Sequence, residues 1–220
     1  MNLPQRAAVH AALSEPGRLE IVDVLRHSDR SPSEMVEMLG MRSNLLAHHL
    51  DVLERAGLIS RTASAGDRRR RYVRLKVDYL DLAVQAARSP GGSVLFVCSQ
   101  NSARSQLATA LWGVLVGTPA ESAGTRPAAR VHPGALAAAR RAGLDLSGAC
   151  PRRIDQVEFI PDVVVTVCDE AHEELAPDGD RLHWSIADPV RSGTAEAFDR
   201  ALGALRGRIL NTFVPTGGDR

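Results

Sequence analysis

The stretch Val94–Leu107, VLFVCSQNSARSQL, constrains this chain more than any other. It opens with a continuous apolar run, the pattern of a strand covered on both faces. The run ends at Cys98, five residues follow, and Arg104 opens a segment of helical pattern. Strand, tight loop and helix in that order form a parallel α/β unit whose loop aims backbone N–H groups at one point. The helix N-terminus adds its partial positive charge there, so the loop is predicted to bind an anion. That field favours the anionic, nucleophilic form of Cys98. Arg104 carries a planar fork that fits two oxygens of a tetrahedral oxyanion, which a lysine cannot copy. Ser99, Gln100, Asn101, Ser102 and Ala103 make the cradle. Ser105 is placed to give its hydroxyl to the sulfur, and Asn101 to brace the loop from inside.

The residues after this segment keep alternating strand and helix. Asp162–Val167 reads as a second buried strand and Arg181–Ile186, more weakly, as another. Helical patterns fall at Pro133–Ala142 and Ala195–Asn211. The first part of the chain differs. Arg18–His27 is helical, Ser31-Pro32-Ser33-Glu34 caps a second helix that Gly40 ends, and Asn44–Ala56 forms a third, stopped by Gly57. Leu58–Thr62 and Arg71–Lys76 are β-prone arms around the turn Ser64–Asp67. Asp78–Ala87 reads as a further helix, and Ser89-Pro90-Gly91-Gly92 breaks every pattern. The expected organisation is residues 1–88 as an α+β winged helix-turn-helix, 89–92 as linker, and 93–220 as a parallel-sheet α/β domain.

Composition narrows the class. No run of eighteen apolar residues occurs, and the N-terminus lacks the apolar core of a signal peptide, so a cytoplasmic protein with no membrane association is expected. The three cysteines, Cys98, Cys150 and Cys168, are too few and odd in number for a disulfide framework and point to reactive thiols. Residues 1–80 carry 13 Lys and Arg against 10 Asp and Glu, so a polyanionic partner belongs to the first domain. His48 and His49 are adjacent and point in different directions on a helix, which argues against a metal site.

Six segments carry a resemblance: VLFVCSQNSARSQ (94–106), SAGT (122–125), VHPGAL (131–136), LDLSG (144–148), DVVVTVCDEA (162–171) and DP (188–189). Together they resemble the low-molecular-weight protein tyrosine phosphatase superfamily and, within it, the related arsenate reductases. The resemblance implies a four-stranded parallel sheet with helices on both faces. It also implies Cys98 as nucleophile, Arg104 as oxyanion clamp and Asp188 as general acid, the last protonating the departing oxygen. Arg104-Ser105-Gln106 and the non-aromatic run after Asp188-Pro189 are similar to the reductases, and Cys168 stands where the thioredoxin-coupled ones keep a second thiol. Their third cysteine, seven residues on, is here Leu175. The resolving thiol is then Cys168, Cys150 or an external small thiol. The expected reductant is thioredoxin, glutaredoxin or mycothiol with mycoredoxin, with no bound cofactor and no metal. Arsenate and phosphate are near-isosteres, so phosphatase activity, or a regulator that uses the fold as an oxyanion sensor, stay open as alternatives.

Residues 31–75, above all HHLDVLERAGLI, resemble the ArsR-type winged-helix regulators. The resemblance implies a homodimer on double-stranded DNA, with Arg42, Ser43, Asn44, His48 and His49 facing the major groove and Arg68, Arg69, Arg70 and Arg71 on phosphates. The metal-sensing cysteines and histidines usual in such regulators are absent from Ser33–Leu39 and Asp78–Arg88.

Overall fold

The computed structural model of the chain describes residues 2–76, 92–175 and 181–213. Of these, residues 2–64 and 68–76 belong to one compact unit, and residues 65–67, 92–175 and 181–213 to the other. The helix expected over Asp78–Ala87 and most of the 89–92 linker lie outside the described residues.

The first unit begins with α1 (Leu3–Leu13), which the hydrophobic pattern alone does not reveal. Its start is set by a capping box in which Asn2 and Gln5 satisfy each other's backbone N–H, with Pro4 fixing the first turn. Then come α2 (Pro16–His27), α3 (Pro32–Leu39) and α4 (Ser43–Arg55). Ser31 and Glu34 cap α3 reciprocally, and Gly40 at φ 63° ends it in the left-handed region that a side chain rarely adopts. Strands β1 (Ile59–Ala63) and β2 (Arg71–Leu75) form an antiparallel hairpin from Ile59↔Leu75 to Ala63↔Arg71. Ile21, Leu25, Met35, Leu46, Leu50, Leu53 and Val73 fill the core between helices and hairpin. This is a winged helix-turn-helix.

The second unit is α/β. In chain order it contains β3 (Val94–Cys98), α5 (Arg104–Leu115), β4 (Ala120–Gly124), α6 (Pro133–Arg141), β5 (Val163–Thr166), α7 (Asp169–Glu174), β6 (Arg181–His183) and α8 (Ala195–Phe213). The sheet order is β4-β3-β5-β6 and every pairing is parallel. All five residues of β3 are buried, and because successive side chains alternate, both faces of the central strand are covered. Phe96, Trp112, Trp184 and Phe213 form an aromatic centre, with the Trp112 and Phe213 rings 4.8 Å apart and nearly perpendicular. β4, with the sequence AESAG, lacks the apolar run of the other strands because it is an edge strand of small residues. β6 is shorter than the pattern over Arg181–Ile186 predicts, ending at His183.

The chain leaves β3 towards β4 on one side and later returns to β5 on the other. The gap beyond the carboxyl ends of β3 and β5 is therefore the switch point where parallel sheets bind ligands. Cys98 ends β3 and Cys168 follows β5.

Candidate active site

The loop between β3 and α5 is held from outside by backbone hydrogen bonds. Thr125, Arg126, Ala128 and His132 donate their N–H groups to the carbonyls of Cys98, Ser99, Gln100 and Ser102, at 3.3, 2.8, 2.9 and 2.8 Å. With those carbonyls engaged, Asn101 N–H is turned to Cys98 sulfur and Ser99 N–H to Cys168 sulfur. No side chain caps α5, whose N-cap is Ala103, so its first turn also presents donors to the loop. Ser99, Gln100, Ser102, Ala103 and Arg104 line a cavity of about 90 Å³ together with Cys98, Glu170, Asp188 and Val190.

A chain of directed hydrogen bonds leads to the sulfur. Gln106 Nε2 and the Arg152 N–H both donate to Asn101 Oδ1, at 3.2 and 2.9 Å, which fixes the orientation of that amide. Asn101 Nδ2 then donates to Ser105 Oγ at 2.9 Å. The Ser105 hydroxyl lies 3.0 Å from Cys98 Sγ, placed to donate its proton to a thiolate there. Asn101 N–H reaches the same sulfur at 3.2 Å. Asn101 stands at φ 47°, a conformation asparagine tolerates better than most residues, and is fully buried.

Arg104 lies across the cavity. Its NH1 donates to the Ile186 carbonyl at 3.0 Å, and its NH2 sits 3.6 Å from Asp188 Oδ2. Burial works against its charge, but Cys168, Cys98, Asp188 and Glu170 around it hold the guanidinium above its ordinary range. Asp188 Oδ1 accepts from the Val190 N–H at 3.1 Å, which sets the carboxyl at the cavity wall.

Cys168 is the second thiol beside this loop. Its sulfur accepts from Ser99 N–H at 3.2 Å and from Ala171 N–H at 3.4 Å, capping α7. Burial pushes its thiol up to about 11; Arg104 opposes the shift and the neighbouring Cys98 adds to it. Cys150 is different. It is exposed and lines another cavity of about 470 Å³, with Asp145, Leu146 and Arg152.

Sequence reasoning overlooked three residues that shape the loop. Gly124 packs directly beneath it, and a Cβ there would stand 2.7 Å from the Ser99 carbonyl oxygen. Gln106 braces Asn101, and Glu170 lines the cavity. The SAGT segment was the signal for Gly124, and DVVVTVCDEA runs through Glu170 without marking it as part of the cavity.

In the first unit, Arg42, Ser43, Asn44 and His48 are exposed at the start and outer face of α4, and Arg68, Arg69, Arg70 and Arg71 are exposed on the hairpin. His49 is not on that face, which corrects the expectation from the sequence. It is 5% exposed and turned inward, its Nδ1 3.6 Å from Glu15, because the same helical stripe carries Leu46, Leu50 and Leu53 into the core.

Residues 93–211, more than half of the chain, match the family model described as low molecular weight phosphotyrosine protein phosphatase. The chain belongs to that family. Residues 15–61 of this family member match a second model, bacterial regulatory protein, arsR family, and so supply the helix-turn-helix. Among curated proteins, the arsenate reductase of Halalkalibacterium halodurans is 34% identical over 136 residues, 56% of this chain and 96% of that protein. The arsenate reductase of Bacillus subtilis is 33% identical over 134 residues, 56% and 96% of the two chains. A solved arsenate reductase from Archaeoglobus fulgidus aligns over 53% of this chain and 94% of its own, at 34% identity and a TM-score of 0.46.

Proposed function

We propose that this phosphatase-family chain is a thiol-dependent arsenate reductase of the cytoplasm, joined to an ArsR-like DNA-binding domain. The observation that carries the reading is the placement of a second thiol, Cys168, against the same loop that holds Cys98, Arg104 and Asp188 around one small cavity. Hydrolysis of a phosphoester needs one nucleophile and one acid. Reduction of arsenic needs two electrons, and two thiols supply them.

The chemistry follows from the arrangement. Arsenate enters with its oxygens towards the loop N–H groups and the Arg104 fork. Cys98 thiolate attacks arsenic, an S–As bond forms, and one oxygen leaves as water with the proton that Asp188 delivers. Cys168 then attacks Cys98 sulfur. The S–S bond forms, the S–As bond breaks with its electron pair remaining on arsenic, and arsenite departs. An external thiol reductant (thioredoxin, glutaredoxin or mycothiol with mycoredoxin) restores the two thiols. The elevated Cys168 thiol guards this order. Burial keeps Cys168 protonated and a Cys98 thiolate adds to it; once Cys98 is bonded to arsenic that addition is gone, while Arg104 still opposes the burial. Cys150, in a different cavity, fits the resolving role less well.

On the DNA side, Arg42, Ser43, Asn44 and His48 offer the base-reading face of α4 and the hairpin arginines the phosphate contacts, in a homodimer. Membership of the phosphatase family favours aryl phosphate hydrolysis as the second reading. Purified full-length protein would be assayed for arsenite formation with each thiol donor and for phosphate release from an aryl phosphate. The expected result is arsenite with one donor, abolished in Cys98→Ser and reduced about a hundredfold or more in Cys168→Ser. Fast phosphate release with no arsenite under any donor would leave a phosphatase.

A further inference from the structure

Glu170 carries the wrong charge for its place. It lines the anion cavity with Cys98, Arg104 and Asp188. A carboxylate facing a bound oxyanion repels it, and when ionised it can only accept hydrogen bonds. Asp188, the other carboxylate there, already accepts from Val190 N–H and faces the Arg104 guanidinium. Glu170 has weaker company. Arg126 and Arg191 approach it at 3.6 and 3.7 Å, beyond hydrogen-bond distance, and both are more than half exposed. Arg126 is drawn closer to Glu174, at 2.5 Å. Exposed pairs of this kind reduce the charge felt in the cavity without consuming the lone pairs of the carboxylate. Among the described residues no donor stands within hydrogen-bond distance of the Glu170 carboxylate, so a ligand in the cavity meets an acceptor there.

We propose that Glu170 sets the substrate class of this cavity, accepting a hydrogen bond from the hydroxyl of a free, singly protonated tetrahedral oxyanion and discriminating against dianionic monoesters. Hydrogen arsenate or hydrogen phosphate and a monoester dianion carry the same charge, so repulsion alone does not separate them. The hydroxyl does. Replacing its proton by carbon leaves lone pair facing lone pair, and a site built to bond a hydroxyl rejects the analogue that lacks it. Full burial makes such rejection very large; Glu170 is about one-third exposed at the cavity mouth, so about tenfold is the expected scale. This inference rests on the cavity being the reaction site, and it explains how a phosphatase-type loop turns towards inorganic oxyanions.

The test is equilibrium binding by titration calorimetry to full-length Cys98→Ser protein, which does not turn over its ligand. Inorganic phosphate and methyl phosphate serve as probes, at a pH where both are dianions; the methyl group keeps steric exclusion small. Preference for inorganic phosphate by about tenfold, falling towards unity with Glu170→Gln and surviving with Glu170→Asp, is the expected result. The Gln variant keeps size and shape but adds amide N–H donors that a phosphoryl or ester oxygen can accept, so it removes the acceptor-only character on which the preference rests. An unchanged ratio in Glu170→Gln, no preference in the parent, or no binding of either anion would each overturn the proposal. Arsenite assays on the parent chain separate the two readings. No arsenite with any donor but a Glu170-dependent preference would remove the reductase and keep the selectivity. Robust arsenite formation with a ratio indifferent to Glu170 would do the reverse.

Discussion

Gly124→Ala isolates what holds the anion loop in place. Three effects compete. Alanine narrows the unfolded ensemble and by itself stabilises by about 0.4–1 kcal/mol. The new Cβ would stand 2.7 Å from the Ser99 carbonyl oxygen, 3.0 Å from Asn101 Cβ and 3.1 Å from the Asn101 nitrogen. To reach ordinary contact near 3.4 Å, the loop backbone must yield by about 0.7 Å, and none of these atoms is the free end of a flexible side chain. Overpacking of this kind costs about 1–3 kcal/mol. The Ser99 carbonyl also accepts from Arg126 N–H at 2.8 Å, so the shift strains a loop-stitching bond as well. Clash wins, by about 1–2 kcal/mol, which lowers Tm by roughly 4–8 °C. The catalytic effect is larger in proportion. Asn101 N–H is one of the donors to Cys98 sulfur, and a displacement approaching 1 Å in a positioned group costs up to about a hundredfold. A loss of about tenfold or more in kcat/KM is expected. The control is Gly113→Ala in α5, where a Cβ meets nothing within 4 Å; it should raise stability by up to about 1 kcal/mol and leave turnover unchanged. Thermal melts and steady-state kinetics on both variants decide the matter. Gly124→Ala as stable and active as the parent would refute close packing as what positions the loop.

Further outcomes follow from the contacts described above. Asp169 is buried beneath the site, its Oδ1 3.2 Å from His183 Nε2, and although burial alone would raise it, hydrogen bonds, that from His183 foremost, hold its carboxyl down to about 2. A carboxyl lowered on folding stabilises above its unfolded pKa near 4 and loses that contribution as pH falls towards 2, on the order of 2 kcal/mol. Urea unfolding across that window should show the loss in the parent and not in Asp169→Asn; equal slopes would contradict the assignment. In the first unit, replacing Arg68 and Arg70 by alanine should weaken DNA binding uniformly across sequences and lower the salt dependence by about one to two ions. His48→Ala should instead alter base preference, whereas His49→Ala should lower Tm through lost core packing. Fluorescence anisotropy over a salt series, with melts in parallel, separates these effects.

The amino-acid sequence by itself determined the two-part organisation, the parallel character of the second sheet and the strand-loop-helix that joins Cys98 to Arg104, because each rests on local periodicity and on residue types adjacent in the chain. Val94–Val97 has no polar residue and must be covered on both sides. Cys98, Arg104 and Ser105 are brought together by a single loop, so spacing alone placed them. β4 was legible only through resemblance, since AESAG carries no apolar alternation and is stabilised by pairing with β3. Only the tertiary structure decided what comes from distant parts of the chain. The proximity of Cys168 to Ser99 depends on β3 and β5 being neighbours in the sheet, and the separation of Cys150 from the cavity depends on which side of the loop Gln106 and Arg152 occupy. His49 turned inward because α4 must bury a stripe, and one exposed-looking residue of the HH pair falls on it. Glu170 and Gly124 owe their importance to a few ångströms of approach across the sheet's carboxyl edge, a distance that no pattern along the chain encodes.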